Sequence, residues 1–163
     1  WPTKLYPEAY WLALAKRCQQ QAIRVLLPWG NAEEKKRAEM IADQVELASV
    51  LPKASLTDIA GVISQAQAVV AVDTGLAHVA AALGVPTVSV YGPTNPDKTG
   101  ALGERQVHLA ADFACAPCQS VTCQFKGVSD VTPACFATVK PEQIWQALSP
   151  LLAHCSQTDG IVV

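Results

Sequence analysis

Ala68-Val69-Val70-Ala71-Val72-Asp73-Thr74-Gly75-Leu76-Ala77-His78, continued through Leu83-Gly84 to Pro86-Thr87-Val88-Ser89-Val90-Tyr91, decides the fold. The run from Ala68 to Val72 is apolar without alternation. That pattern belongs to a strand covered on both faces, as in the centre of a parallel sheet. A helix is expected from about Leu76 to Leu83, where Gly84 ends it, and a second covered strand runs from Pro86 to Tyr91. Strand, helix and strand in so short a span make a right-handed βαβ unit.

The same alternation extends outward. Upstream, residues 8–21 read as a helix, 23–27 as a strand stopped by Pro28 and Gly30, and 32–46 as a surface helix. Ser49-Val50-Leu51 reads as a short strand. Ser55-Leu56-Thr57-Asp58 opens a helix to about Gln65 with a capping box in which Asp replaces the usual Glu or Gln. Downstream, Gly92-Pro93-Thr94-Asn95-Pro96 is a rigid loop and Val107-His108-Leu109 one more strand. Residues 112–135 are irregular, and a helix from Pro141 to Ala153 closes the chain. The expected fold is therefore α/β: a Rossmann-like, three-layer, doubly wound domain with a mainly parallel sheet.

Composition agrees. Half of the 163 residues are hydrophobic and 16% are charged, which suits a buried sheet between helical layers. The net charge of −2 offers no surface for nucleic acid. The chain lacks an apolar run of membrane-spanning length, and no signal peptide opens it. It begins at Trp1, as expected of a fragment or a processed form. Glycine-rich dinucleotide and Walker-type loops are absent, and no Asp-x-Asp pair suggests a metal bridging a diphosphate.

In an open α/β sheet, ligands bind beyond the carboxyl ends of the strands. Asp73-Thr74-Gly75 and Gly92-Pro93-Thr94 both stand at such ends. The first-turn amides of the helix after Asp73, with its dipole, make an anion site suited to a diphosphate. Gly75 has no β-carbon to hold a phosphate off the backbone, and His78 lies about one turn in. Spacing alone equally allows Asp73 or Thr74 to be only a helix cap, and Glu34 to be only a charge on an exposed helix face.

Five segments in order carry a resemblance. They are Leu27-Pro28-Trp29-Gly30 before the Glu33-Glu34 helix, Val50-Leu51-Pro52-Lys53, Ser55-Leu56, Asp73-Thr74-Gly75-Leu76-Ala77-His78, and Tyr91-Gly92-Pro93-Thr94. Together they resemble the donor domain of the bacterial lipopolysaccharide heptosyltransferases, glycosyltransferase family 9. The Asp-Thr-Gly-Leu and Gly-Pro-Thr versions lie nearest the heptosyltransferase I group. The resemblance covers roughly residues 1–110 and the closing helix. It implies that residues 1–163 are the C-terminal, ADP-heptose-binding half of a GT-B enzyme. The N-terminal acceptor domain, with the catalytic base, is absent from this chain, so no catalytic residue is expected here. Thr74, Gly75, Leu76 and His78 would meet the diphosphate, Asp73 would sit beside the transferred sugar, and Glu34 would contact the donor's sugar portion. The implied reaction is inverting transfer of heptose to the Kdo-lipid A inner core, without metal or cofactor. The implied location is cytoplasmic, with peripheral contact of the whole protein at the inner membrane through its lipid-linked acceptor. Trp1-Pro2 resembles the start of the family's Trp-Pro motif, which places the phosphate-binding basic residue of that motif before Trp1 and outside the chain.

The six cysteines are Cys18, Cys115, Cys118, Cys123, Cys135 and Cys155. Cys115-Ala-Pro-Cys118 opens like a zinc site, but the spacings to Cys123 and Cys135 match no common zinc pattern. Zinc, a disulfide and reduced thiols all stay open for this cluster. A second reading of the chain is thus a non-catalytic Rossmann-like nucleotide-binding module whose cysteine loop binds a metal or a partner.

Overall fold

A computed structural model describes residues 1–152 and 160–162. Cys155 and the last residue of the expected closing helix, Ala153, lie outside the described residues. The elements in chain order are α1 (Glu8–Gln20), β1 (Val25–Leu27), α2 (Ala32–Ala42), β2 (Ala48–Val50), α3 (Leu56–Gln65), β3 (Ala68–Val72), α4 (Gly75–Ala82), β4 (Thr87–Tyr91), α5 (Pro96–Thr99), β5 (Gln106–Ala110), α6 (Pro141–Leu152) and β6 (Ile161–Val162). Short 3-10 turns cover Pro2–Lys4 and Ala134–Thr138. The sheet order is β2-β1-β6-β3-β4-β5, and every pairing is parallel.

Alternate residues of the central strands feed two cores, as the pleat requires. Val70, Val88 and Val90 join Leu14 and Cys18 of α1, Ala38 and Ile41 of α2, and Ile144 and Leu148 of α6. Val69 and Ala71 turn the other way, to Ile59 and Ile63 of α3 and Ala77 and Ala80 of α4. Helices on both faces explain why β3 and β4 read as unbroken apolar runs. Each fully buried aliphatic side chain contributes about 1.5–3 kcal/mol.

Local signals set the helix ends. Ser55 Oγ accepts from the Asp58 amide at 3.2 Å while Asp58 Oδ2 accepts from the Ser55 amide at 3.1 Å, closing the expected capping box. Gly84, at φ 71°, ends α4: its amide donates to Ala81 O and that of Val85 to Ala80 O. Three expectations need correcting. The second helix ends at Ala42 rather than residue 46, because Val45 is buried in the core and the chain turns there into β2. The loop after Tyr91 contains a helical turn, α5, with Pro96 in its first turn and Asn95 accepting from the Asp97 amide at 2.9 Å. A sixth strand, β6, lies between β1 and β3.

The winding reverses at the centre of the sheet. From β1 the chain moves outward to β2, then crosses to β3 and moves outward the other way to β4 and β5. Loops at the carboxyl ends of β1 and β3 part at that reversal and leave a crevice between them.

Candidate functional site at the switch point

The crevice, about 480 Å³, is walled by Leu27, Pro28, Trp29, Gly30 and Glu34 on the β1 side. Val72, Thr74 and Leu76 face them from the β3–α4 side, and Leu5 and Arg37 also line it. Trp29 is held by a hydrogen bond from Nε1 to Leu51 O at 2.7 Å, and Lys35 lies over its ring at 5.5 Å. Asn31 caps α2, accepting from the Glu33 and Glu34 amides, both at 3.0 Å. Glu34 Oε2 in turn accepts from the Gly30 amide at 2.7 Å, so its carboxylate is fixed at the rim of the crevice.

Asp73 follows β3 and is buried. Its Oδ2 lies 2.8 Å from Lys4 Nζ and accepts from Thr99 Oγ1 at 3.3 Å. Burial opposes its ionisation, but the Lys4 ammonium and the threonine hydroxyls outweigh that and hold the carboxyl below its usual range. Thr94 contributes to this, yet its buried hydroxyl meets no protein partner at full hydrogen-bond geometry. An unsatisfied buried hydroxyl costs about 1–3 kcal/mol unless a ligand or water supplies the bond.

Thr74 stands at the N-cap of α4 but makes no side-chain capping hydrogen bond. The expectation that Asp73 or Thr74 caps this helix is therefore corrected: Asp73 turns to Lys4, and no side-chain hydrogen bond caps the helix start. A β-carbon on Gly75 would meet no protein atom within 4 Å. Protein packing therefore places no demand for glycine at this exposed position.

Of the residues singled out from sequence, Glu34, Thr74 and Leu76 share the crevice wall, with Asp73 and Gly75 adjoining it in the chain. His78 is exposed, without a contact into the crevice. Lys4 was missed. The turn Pro2–Lys4 delivers its ammonium to Asp73. The available signal was a lone lysine just after a proline turn; its partner Asp73 is remote in sequence, so spacing gave no hint of the pair.

The cysteines behave differently. Cys115, Cys118, Cys123 and Cys135 line one cavity of about 420 Å³ beside Pro93. Among the described residues the cysteines are free, and no group of three or more His, Cys, Asp or Glu is arranged to hold a metal. Burial, then the three neighbouring thiols, push the Cys135 thiol up to about 11. The loop braces the site: the Gln119 amide donates to Pro93 O at 2.7 Å, and Thr3 Oγ1 donates to Ser120 O at 2.6 Å.

A doubly wound parallel sheet, with an uncapped helix N-terminus and the Lys4–Asp73 ion pair at its reversal, defines a Rossmann-like domain. The profile of glycosyltransferase family 9 (heptosyltransferase) matches residues 1–129, and the chain belongs to that family. It is 47% identical over 161 residues to lipopolysaccharide heptosyltransferase 1 of Pseudomonas aeruginosa, covering 93% of this chain and 45% of that protein. It is 43% identical over 104 residues to the Escherichia coli K12 protein of the same name, covering 64% of this chain and 33% of that one. The structure of E. coli heptosyltransferase WaaC with ADP superposes with a TM-score of 0.74 at 32% identity, over 91% of this chain and 40% of that chain. A family 9 glycosyltransferase from Veillonella parvula shares the fold, with a TM-score of 0.76 at 19% identity, over 95% of this chain and 44% of that one. The chain thus spans less than half the length of these relatives. Among the described residues no helix is long and apolar enough to cross a membrane.

Proposed function

We propose that this chain is the donor-binding domain of a lipopolysaccharide heptosyltransferase, and that it takes ADP-heptose at the crevice beside Asp73. The single observation that carries the reading is the uncapped start of α4 next to the Lys4–Asp73 pair, at the sheet's reversal. Helix amides and an ammonium are donors that suit a diphosphate. A likeness to a relative solved with ADP supports the same assignment.

In this reading the residues divide the work. The α4 amides of Gly75 and Leu76, with Lys4, hold the diphosphate and stabilise charge on the departing ADP. Asp73 orients Lys4 and lies beside the transferred sugar. Glu34, a carboxylate already fixed at the rim, accepts from donor hydroxyls. A domain outside residues 1–163 supplies the acceptor lipid and the base that takes the acceptor hydroxyl's proton. Transfer then proceeds with inversion and without a metal, to a Kdo-lipid A acceptor at the cytoplasmic membrane face.

Titration calorimetry with ADP, ADP-heptose, UDP and a UDP-sugar tests this. The expected result is adenine-selective binding, unchanged by magnesium or EDTA. Binding that needs magnesium, or prefers uridine, overturns it. No nucleotide binding at all, in a protein that retains zinc, favours the module reading instead.

A further inference from the structure

Four cysteines surround a cavity that is separate from the donor crevice. Cys115, Cys118, Cys123 and Cys135 line it, about 420 Å³ in volume, and Thr3, Pro93 and Lys126 share its wall. Among the described residues that wall holds an ammonium and no carboxylate or imidazole. Exposure sorts the thiols. Cys18 lies in the core, where burial pushes its thiol up to about 12, so it is inert. Cys135 is also buried, packed so closely on Gly92 that a β-carbon there would lie 3.0 Å from its Sγ. Cys115 and Cys118 are free and exposed, with two residues between them. Accessible thiols near a cation are the reactive kind.

The residues after Cys118 reach the donor site. Gln119 stands at φ 52°, in the left-handed region, and its amide donates to Pro93 O at 2.7 Å. Ser120 O accepts from the buried Thr3 Oγ1 at 2.6 Å. Pro93 precedes Thr94, and Thr3 precedes Lys4. Thr94 and Lys4 both help to hold the Asp73 carboxyl below its usual range. Gln119 and Ser120 therefore fasten two segments that meet at Asp73. A disulfide fixes its Cα separation at about 4.4–6.8 Å and its own twist near a right angle. Imposed at Cys115 and Cys118, those constraints reset the backbone that leads straight into both fastenings.

We infer that Cys115 and Cys118 form a redox-active dithiol that takes a small disulfide as its oxidant, and that closing it slackens the fastenings at Pro93 and Thr3. One cysteine thiolate attacks a sulfur of RSSR and expels RS⁻. The other thiolate attacks the protein sulfur of that mixed disulfide and expels the second RS⁻. Two protein thiols and RSSR thus become one protein disulfide and two RSH; the protein pair is oxidised by the two electrons that reduce the small disulfide. Of the pairs among the four cysteines this closes the shortest loop, so the second attack meets the least chain entropy. The dithiol and its fastenings stand whatever the site binds, and only the affinity measurement below rests on the proposed function.

Equilibrating the purified protein with oxidised glutathione, then mapping its peptides, tests the bridge. A Cys115–Cys118 disulfide is expected, reversed by dithiothreitol. Amide hydrogens in the peptides that hold Thr94 and Gln119-Ser120 should exchange faster in the oxidised form and recover on reduction. ADP affinity should fall roughly fivefold or more on oxidation, the size of one lost hydrogen bond. Cys115→Ser with Cys118→Ser should bind ADP like the reduced protein and ignore the oxidant. A bridge to another cysteine, or mixed disulfides that persist at both positions, overturns the inference. So does a Cys115–Cys118 bridge that leaves both peptides unchanged, or equal ADP affinity in the two forms when the reduced form binds. Faster exchange in a protein that binds ADP in neither form leaves the dithiol standing and removes the donor-site reading instead.

Discussion

At the scale of single residues, the Lys4–Asp73 pair carries the clearest consequences. Lys4→Met leaves a buried carboxylate without its cation, which should cost about 1–3 kcal/mol of stability. It should also weaken ADP binding roughly tenfold to a hundredfold, the size of a lost hydrogen bond to a charged group. Urea unfolding and calorimetry on the same variant measure both. The pH dependence has a definite sign. The folded carboxyl of Asp73 titrates below its usual range. Its contribution is therefore present above the unfolded value of about 4 and is lost as pH falls below it, toward the folded value. Unfolding free energies measured across the acid limb should fall less steeply in Asp73→Asn than in the wild type; equal slopes would show that another group governs acid sensitivity. His78 differs in kind. It is exposed and makes no protein hydrogen bond, so His78→Ala should change stability by less than about 0.5 kcal/mol. If its imidazole reaches the bound diphosphate, ADP affinity should nevertheless drop by about 1–2 kcal/mol; unchanged affinity would make it a surface residue only.

At the scale of elements, the two glycines of the site separate scaffold from binding. Gly75 begins α4 in open space, so Gly75→Ala should raise thermal stability slightly, by up to about 1 kcal/mol of helix propensity; on the proposed function, ADP affinity should fall, because the new methyl would stand where the diphosphate is proposed to approach. Gly92 is the opposite case. A β-carbon there would lie 2.6 Å from Phe136 Cζ and 3.0 Å from Cys135 Sγ, and Phe136 is fully buried. Gly92→Ala should therefore lower the melting temperature first, by overpacking worth about 1–3 kcal/mol. Elements were also where sequence reading worked best. β3 and β4 were legible because both faces are covered, and α3 because its capping box is local. α5 had its signal in Asn95-Pro96-Asp97, but four residues show no periodicity. β6 was not legible, since two residues carry no pattern and their place depends on strands far away in the chain. The structure brings the motif residues Glu34, Thr74 and Leu76 together along one crevice, while the Lys4–Asp73 pair required the fold itself.

At the scale of the whole molecule, the chain should bind donor and transfer nothing. The acidic residues at the site, Asp73 and Glu34, are already committed to Lys4 and to the Gly30 amide. Each is held by a protein contact on one oxygen, and a general base must lie within about 3 Å of the acceptor hydroxyl. Incubating the purified chain with ADP-heptose and a Kdo-lipid A acceptor should give no acceptor-dependent ADP release; turnover would force one of these carboxylates to be the base. The reversal of winding has a consequence of another kind. Lys4 comes from the first turn of the chain, Glu34 from one wing of the sheet, Asp73 and Thr94 from the other. These groups become neighbours only after both wings have been laid down, so no early or partly folded species can display the pocket. On the proposed function, nucleotide capture is then a late event in maturation, and a column of immobilised ADP should sort finished molecules from stalled ones.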